Sequence, residues 1–346
     1  MERFAVVCQP DDGKRIIKSH PMLRRLPEGI ANKCISFISV QKTGIILDRE
    51  SGENLGCLLD VPGFFGNWDQ LEMDKRRKTI DCIARTLKKS GISVLCFPLV
   101  SRYFSAEEIQ FLNEQGIDVL DGYHHRLAGM LLVLKQLLLI TKKDVPQFET
   151  GIWGADTDAG RVWAAVMAEE VNHMCIGGRD YMELERLAYH ILKTTGLACQ
   201  ITDKPEVCIS NKNIAVLSQP VEASFSLCRP SFLFHSYRYE YHSEHPLPEQ
   251  AQALHRVYNI DMGWLSFPHD LDIKPPPGVW EELGVLEGLF YTASRVYRND
   301  ILNNRITLNQ MNRLLSMYEM YPIKLQGFAW NGKKINFDRF RKSYFG

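Results

Sequence analysis

The stretch Gly151–Gly160, GIWGADTDAG, decides how this chain is read. Phe148–Trp153 reads as a strand leading into it, and Arg161–Val171, RVWAAVMAEEV, as a helix leaving it. A glycine-bearing turn between strand and helix is where α/β proteins hold phosphates. One glycine makes the tight bend, a second lets backbone approach a pyrophosphate, and a third lets helix and strand pack closely. The helix start adds unpaired N–H groups and the positive end of its dipole. Spaced as G-x-x-G-x-x-G, the stretch keeps Gly154 and Gly160 but has Thr157 in the middle. A threonine there either crowds a phosphate or donates its hydroxyl to one. Asp156 and Asp158 add negative charge beside it. The turn predicts a nucleotide site built from Gly154, Thr157, Asp158, Ala159 and Gly160.

Reading onward, His173–Gly177 is a second strand that ends in Gly178 and Arg179. A carboxylate at that place would hold the ribose hydroxyls of NAD, whereas an arginine accommodates the 2′-phosphate of NADP. Arg179 therefore points to NADP(H); otherwise it is a solvent-facing residue next to a helix cap. The cap is Asp180 with Glu183. The helix beyond has Leu184, Leu187, Ala188, Ile191 and Leu192 on one face and stops at Gly196. Ala198–Thr202, Ile214–Ser218 and Phe232–Phe234 read as further strands. Alternation at this spacing implies a doubly wound parallel sheet that binds ligands at its carboxyl edge, where strand order reverses.

The first half has a similar rhythm. Phe4–Cys8 reads as a buried strand, and Ile35–Leu47 and Leu55–Val61 as a hairpin about Asp48–Gly52. Leu71–Lys89 has helical apolar spacing, Ile92–Phe97 is a strand covered on both faces, and Ser105 with Glu108 forms a capping box. Ile117–Leu120 is the next strand. Leu127–Ile140, LAGMLLVLKQLLLI, is interrupted by Lys135 and Gln136 and falls short of a membrane span, so it reads as a buried interdomain helix. The expectation is an α/β protein with an N-terminal α/β domain over 1–143 and a doubly wound Rossmann-like NAD(P)-binding domain over 144–277. C-terminal helices over 278–346 are expected to pack back across both.

With 41 basic and 41 acidic residues among 346, the chain has no net formal charge and so no global basic field for nucleic acid. The runs Lys75–Lys78 and KKINFDRFRKSYFG at the C-terminus read as solvated helix faces. Nine cysteines lie mostly in apolar runs without a C-x-x-C pair, which suits buried thiols in a reducing cytoplasm. The opening, MERFAVVCQPDD, is too short and too charged for a signal peptide. In YEYHSEH, Tyr239, His242 and His245 suggest metal ligands, but the stretch is loop-like and meets Pro246, so no metal site is expected.

Several pieces in a common order make the chain resemble the long-chain acyl–acyl carrier protein reductases, relatives of shikimate dehydrogenase and glutamyl-tRNA reductase. They are FAVVCQP, HPMLRRLPEGI, GIDVLDGYHHRLAGMLLVL, WGADTDAGRVWAAVMAEE, CIGGRDYMELERLA, NIDMGWLSFP, GVLEGLFYTASRVY and ITLNQMNRLL. The resemblance implies NADPH-dependent reduction of a fatty acyl thioester, presented by an acyl carrier, to an aldehyde. A cysteine after a late strand would hold the acyl group. In this chain that place, in RPSFLFHSYRY, falls on His235, with Pro230 matching the family's proline. Acyl-imidazoles hydrolyse readily, so His235 is read either as a general acid for reduction of another carbonyl or as a hydrogen-bonded structural histidine. Cys228 precedes the strand, at its wrong end. His124 and His125 open the long helix. VLSQPVEAS, with Ser218, matches the family's small-residue stretch against the nicotinamide, but Gln219-Pro220 and Glu222 depart from it. Departures at Thr157, His235 and Gln219-Pro220 meet at one site. Two readings follow: an NADP(H) reductase acting on a carbonyl other than an acyl thioester, and a non-catalytic descendant that binds or regulates.

Overall fold

The structure, a computed structural model, describes residues 2–8, 17, 22–35, 38–64, 68, 71–141, 147–221, 231–238, 257–268, 271–303, 305–330 and 333–345. It contains two compact units. One draws on Met1–Tyr123 and Phe267–Asn299, the other on His124–Arg238, Glu244–Ser266 and Asp300–Gly346.

The first unit is built on β1 (Arg3–Val7), β2 (Gln41–Asp48), β3 (Asn54–Asp60), β4 (Ile92–Cys96) and β5 (Asp118–Leu120), joined at the edge by β13 (Leu271–Lys274). Their order is β13-β2-β3-β1-β4-β5. β1 runs parallel to β3 and β4, β4 parallel to β5, and the β2 hairpin and β13 run antiparallel. β1 and β4 are central and covered on both faces, which is why FAVV and VLC are apolar without alternation. The hairpin turns at Asp48, whose Oδ1 accepts from the N–H (2.7 Å) and hydroxyl (2.8 Å) of Ser51, with Gly52 at φ +70°. The expected strand from Ile35 begins instead at Gln41. Ile35 ends a helix, Glu28–Ile35, because it buries with Ala31, one helical turn away, against Leu23.

Helix Met73–Lys89 buries Ile80, Ile83, Ala84 and Leu87, as its spacing predicts. It also buries Arg76, which donates to both carboxylate oxygens of Glu108 at 3.0 and 2.6 Å. The same Glu108 completes the capping box with Ser105, so one carboxylate joins two helices. Helix Val279–Ala293 lies against β1 through glycines: a Cβ at Gly288 would come 2.2 Å from the Phe4 ring.

The second unit holds six parallel strands: β6 (Glu149–Trp153), β7 (His173–Gly177), β8 (Gln200–Thr202), β9 (Ile214–Leu217), β10 (Ser231–His235) and β11 (Val257–Ile260). Their order is β11-β10-β9-β6-β7-β8. Counted from β6 this is 3-2-1-4-5-6, the doubly wound Rossmann order, with the reversal between β6 and β9. The chain therefore has an α/β fold, and its second sheet is Rossmann-like. After Asp261 alone, β12 (Met262–Leu265) turns into a small antiparallel sheet with β14 (Leu325–Trp330) and β15 (Lys333–Asn336). Sequence reading expected only helices in that last part of the chain. Strands of four to six residues flanked by helices give too little alternation to read.

Helix Tyr123–Ile140 is buried at Leu127, Leu131, Leu134 and Leu138, while Leu139 is 67% exposed. Its backbone approaches β12 directly: a Cβ at Gly263 would come 2.5 Å from the carbonyl oxygen of Gly129. From the same helix the buried Arg126 donates to the carbonyls of Asp261 (2.7 Å), Tyr237 (3.1 Å) and His235. Among the described residues no helix is long and apolar enough to cross a membrane. Leu134→Ala should cost about 2–5 kcal/mol in urea unfolding, and Leu139→Ala within about 0.5 kcal/mol, since only the first leaves a cavity.

Candidate functional site

The turn after β6 is shaped by what its backbone meets. Gly154 sits at φ +83°, and a Cβ there would lie 2.8 Å from the backbone nitrogen of Gln219. A Cβ at Gly160 would lie 2.0 Å from the carbonyl oxygen of Gly154. These two glycines make the bend and the close helix packing that the spacing predicts. Thr157, between them, is the N-cap of helix Asp158–Ala168. Its hydroxyl donates to the Gly154 carbonyl at 2.7 Å and accepts from the Gly160 N–H at 3.0 Å. The one proton of that hydroxyl is thus committed within the turn, and one of the helix's free N–H groups is already capped.

Asp156 does more than add charge. Its Oδ2 accepts from the backbone N–H groups of Arg179 (2.9 Å) and Asp180 (3.0 Å), and its Oδ1 accepts from the side-chain amide of Gln219 (3.1 Å). The carboxylate presses on Gly178, where a Cβ would stand 2.3 Å from Oδ1. One side chain therefore ties together the turns after β6, β7 and β9, the three turns that flank the strand-order reversal. The two amides just ahead of helix Tyr181–Thr195 already hold an anion that belongs to the protein. Sequence reading saw Asp156 only as a charge near the turn. The available signal was the second glycine of Gly177-Gly178, which leaves room for an incoming side chain.

The remaining expected residues also gather at this edge. Asp158 pairs with Arg161 at 3.0 Å, and Arg161 reaches Glu183 at 3.3 Å. Ala159 is buried, and the Arg179 side chain is exposed. Ser218 is buried at the end of β9, where its N–H donates to the Trp153 carbonyl at 2.8 Å. Its hydroxyl and the side-chain amide oxygen (Oε1) of Gln219 have no hydrogen-bond partner among the described residues.

His235 ends β10 and is fully buried. Its Nε2 bonds to Asn259 Oδ1 at 3.1 Å, and its ring lies 4.8 Å from that of Trp330. Burial pushes its pKa down to about 3; the Asn259 bond opposes this and the Arg126 charge adds to it. The imidazole is therefore neutral at neutral pH, with its N–H held by Asn259. His235 is thus placed as a buried, hydrogen-bonded histidine at the end of β10. His125 is similar: it is buried against Tyr318, with a 2.6 Å bond from Nδ1 to the phenol oxygen, and burial lowers its pKa to about 3. Cys228, Pro230, Glu222, Tyr239, His242 and His245 lie outside the described residues. The eight described cysteines are free thiols. Among the described residues no group of three or more His, Cys, Asp or Glu is placed to hold a metal.

Compared with protein-family models and with curated proteins, the chain matches none. Among solved structures it is similar to the ligand-free 5-ketofructose reductase of Gluconobacter sp. strain CHM43, at 10% identity over 92% of this chain and 99% of that one, with a TM-score of 0.32. It is similar to L-tryptophan dehydrogenase from Nostoc punctiforme at 10% identity, over 93% and 79%, with a TM-score of 0.37. It is also similar to anabolic ornithine carbamoyltransferase from Campylobacter jejuni at 10% identity, over 64% of this chain, with a TM-score of 0.26; this chain spans 62% of that enzyme's length. Reductases, dehydrogenases and transferases at these scores share an α/β layout and decide nothing about chemistry.

Two outcomes follow from this geometry. Thr157→Ala should lower stability by about 1 kcal/mol in chemical denaturation, the usual effect of losing an N-cap. Stability should also fall as pH drops below about 6.5, where unfolded histidines take up protons that buried His235 and His125 refuse until about pH 3. Each contributes about 1.4 kcal/mol per pH unit in that window, so His235→Gln should flatten the fall measured by urea titration across pH.

Proposed function

We propose that this protein is a non-catalytic descendant of an NADP(H)-dependent reductase, a cytoplasmic protein that uses a Rossmann-like fold for binding or regulation. The observation that carries this reading is the Asp156 carboxylate on the Arg179 and Asp180 amides, beside a Thr157 hydroxyl already bonded within its own turn. A pyrophosphate approaching this edge meets a fixed negative charge, a capped helix start and the Gln219 side chain. The neutral, enclosed His235 supports the same reading, because reduction of a carbonyl needs a proton supply at the hydride acceptor. The resemblance to acyl–acyl carrier protein reductases supports the ancestry. The absence of a cysteine at the acyl-accepting place argues against the ancestral reaction.

Calorimetric titration with NADPH to millimolar concentration should give no binding at this turn. Asp156→Gly combined with Thr157→Gly should create it, after a thermal melt confirms that the variant folds. Incubation with a long-chain acyl thioester should leave the intact mass unchanged. If the unmodified protein binds NADPH tightly and transfers hydride to a carbonyl, the reductase reading replaces this one. In that case Arg179→Ala should weaken NADPH by about 1.5–3 kcal/mol and leave NADH alone, as expected for loss of a charged hydrogen bond to the 2′-phosphate.

A further inference from the structure

The first unit carries a concavity of its own. It is a groove of about 470 Å³ on the sheet, reached by Arg3 of β1, Lys42 of β2 and Lys274 of β13. No acidic residue lines it. Lys274 is already paired with Asp272 at 2.7 Å, which leaves Arg3 and Lys42 to supply the positive charge. Among the described residues Arg3 and Lys42 have no ion-pair partner, and both are exposed. In a chain with no net charge, this is a local concentration of positive charge on a concave surface.

The rest of the lining completes a binding surface. Thr43, Asn54 and Ser90 place neutral hydrogen-bonding side chains between the cations. Ser90 is also the C-cap of helix Met73–Lys89, so the negative end of that helix comes near. It is offset by the Ser90 and Gly91 N–H groups on the last carbonyls (2.9 and 3.0 Å) and by Lys88 and Lys89 in the last turn. The floor is apolar: Ile45, an unusually exposed strand isoleucine at 43%, and Ile92. A groove of this volume is the size of a small-molecule site, and an apolar floor with a few charged groups is the usual composition of one.

We propose that this groove binds a small phosphate-bearing molecule, with Arg3, Lys42 and Lys274 holding the phosphates and Ile45 and Ile92 carrying the remainder. Two cations without an ion-pair partner, with the Asp272-paired Lys274 beside them, suit a compact anion rather than a nucleic acid, which needs a continuous basic track.

The test uses inorganic pyrophosphate as the probe, titrated into the full chain by calorimetry at low ionic strength, with sulfate as the comparison. Saturable pyrophosphate binding should be at least about tenfold weaker in Arg3→Glu/Lys42→Glu, matching loss of a charged hydrogen bond. Lys78→Glu, an exposed charge reversal on the helix Met73–Lys89, should leave it unchanged. All three side chains are exposed, so unchanged melting curves should accompany these results. Any NADPH binding lost in the Arg3→Glu/Lys42→Glu protein likewise belongs to the groove and not to the turn after β6. No binding of pyrophosphate, equal and weak heats with sulfate and pyrophosphate (an adventitious ion only), or an equal loss in Lys78→Glu would overturn the proposal.

Discussion

Arg126 holds the second unit together at its least forgiving point. A guanidinium buried to 3% exposure donates to three backbone carbonyls, those of His235, Tyr237 and Asp261. Those carbonyls belong to the end of β10, the residues just beyond it, and the single residue between β11 and β12. Carbonyls there have run out of ladder partners, and without a donor each would be a buried unsatisfied acceptor. Truncating Arg126 would leave these acceptors unsatisfied, at about 1–3 kcal/mol for each that stays buried. The same charge reaches His235 and helps keep it neutral. Because Arg126 fixes the path of the chain where β10 ends, it also helps enclose His235.

The carboxyl edge of the Rossmann-like sheet shows the opposite economy, in which short polar side chains serve one another across turns. Thr157 closes its own turn, Asp156 reaches the next, and Gln219 reaches back from the third. No residue in this set is unusual for its local element: a threonine N-cap and an aspartate at a helix start are ordinary choices. Together they satisfy, from within the protein, backbone donors at the carboxyl edge of the sheet.

Much of the fold was legible because it rests on patterns within single segments. The apolar runs of β1 and β4, the Ser105–Glu108 box, and the helical spacing of Ile80, Ile83 and Leu87 each declare an element locally. The two retained glycines were legible too, since bend and close packing need glycine whatever else happens. The Asp156 bonds were not. They join residues 23, 24 and 63 positions apart, and depend on β7 and β9 both flanking β6. The surroundings of His235 were not legible for a similar reason: its pKa is lowered by burial and by the Arg126 charge against the opposing Asn259 bond, and neither partner is near it in sequence. Ile35 was misplaced because an apolar residue before a strand looks like its beginning, until Ala31 and Leu23 claim it for a helix.

The Asp156 carboxylate can also be viewed as a ligand delivered on a tether. A group attached by a few backbone bonds presents itself at an effective concentration that even loose tethers bring to roughly the millimolar range, and a fixed turn raises it further. Any free anion must displace it. Each tenfold by which that effective concentration exceeds the tethered group's own dissociation constant weakens the visitor tenfold, about 1.4 kcal/mol. The turn thus carries its own anion, already seated on the Arg179 and Asp180 amides that a free anion would have to reach.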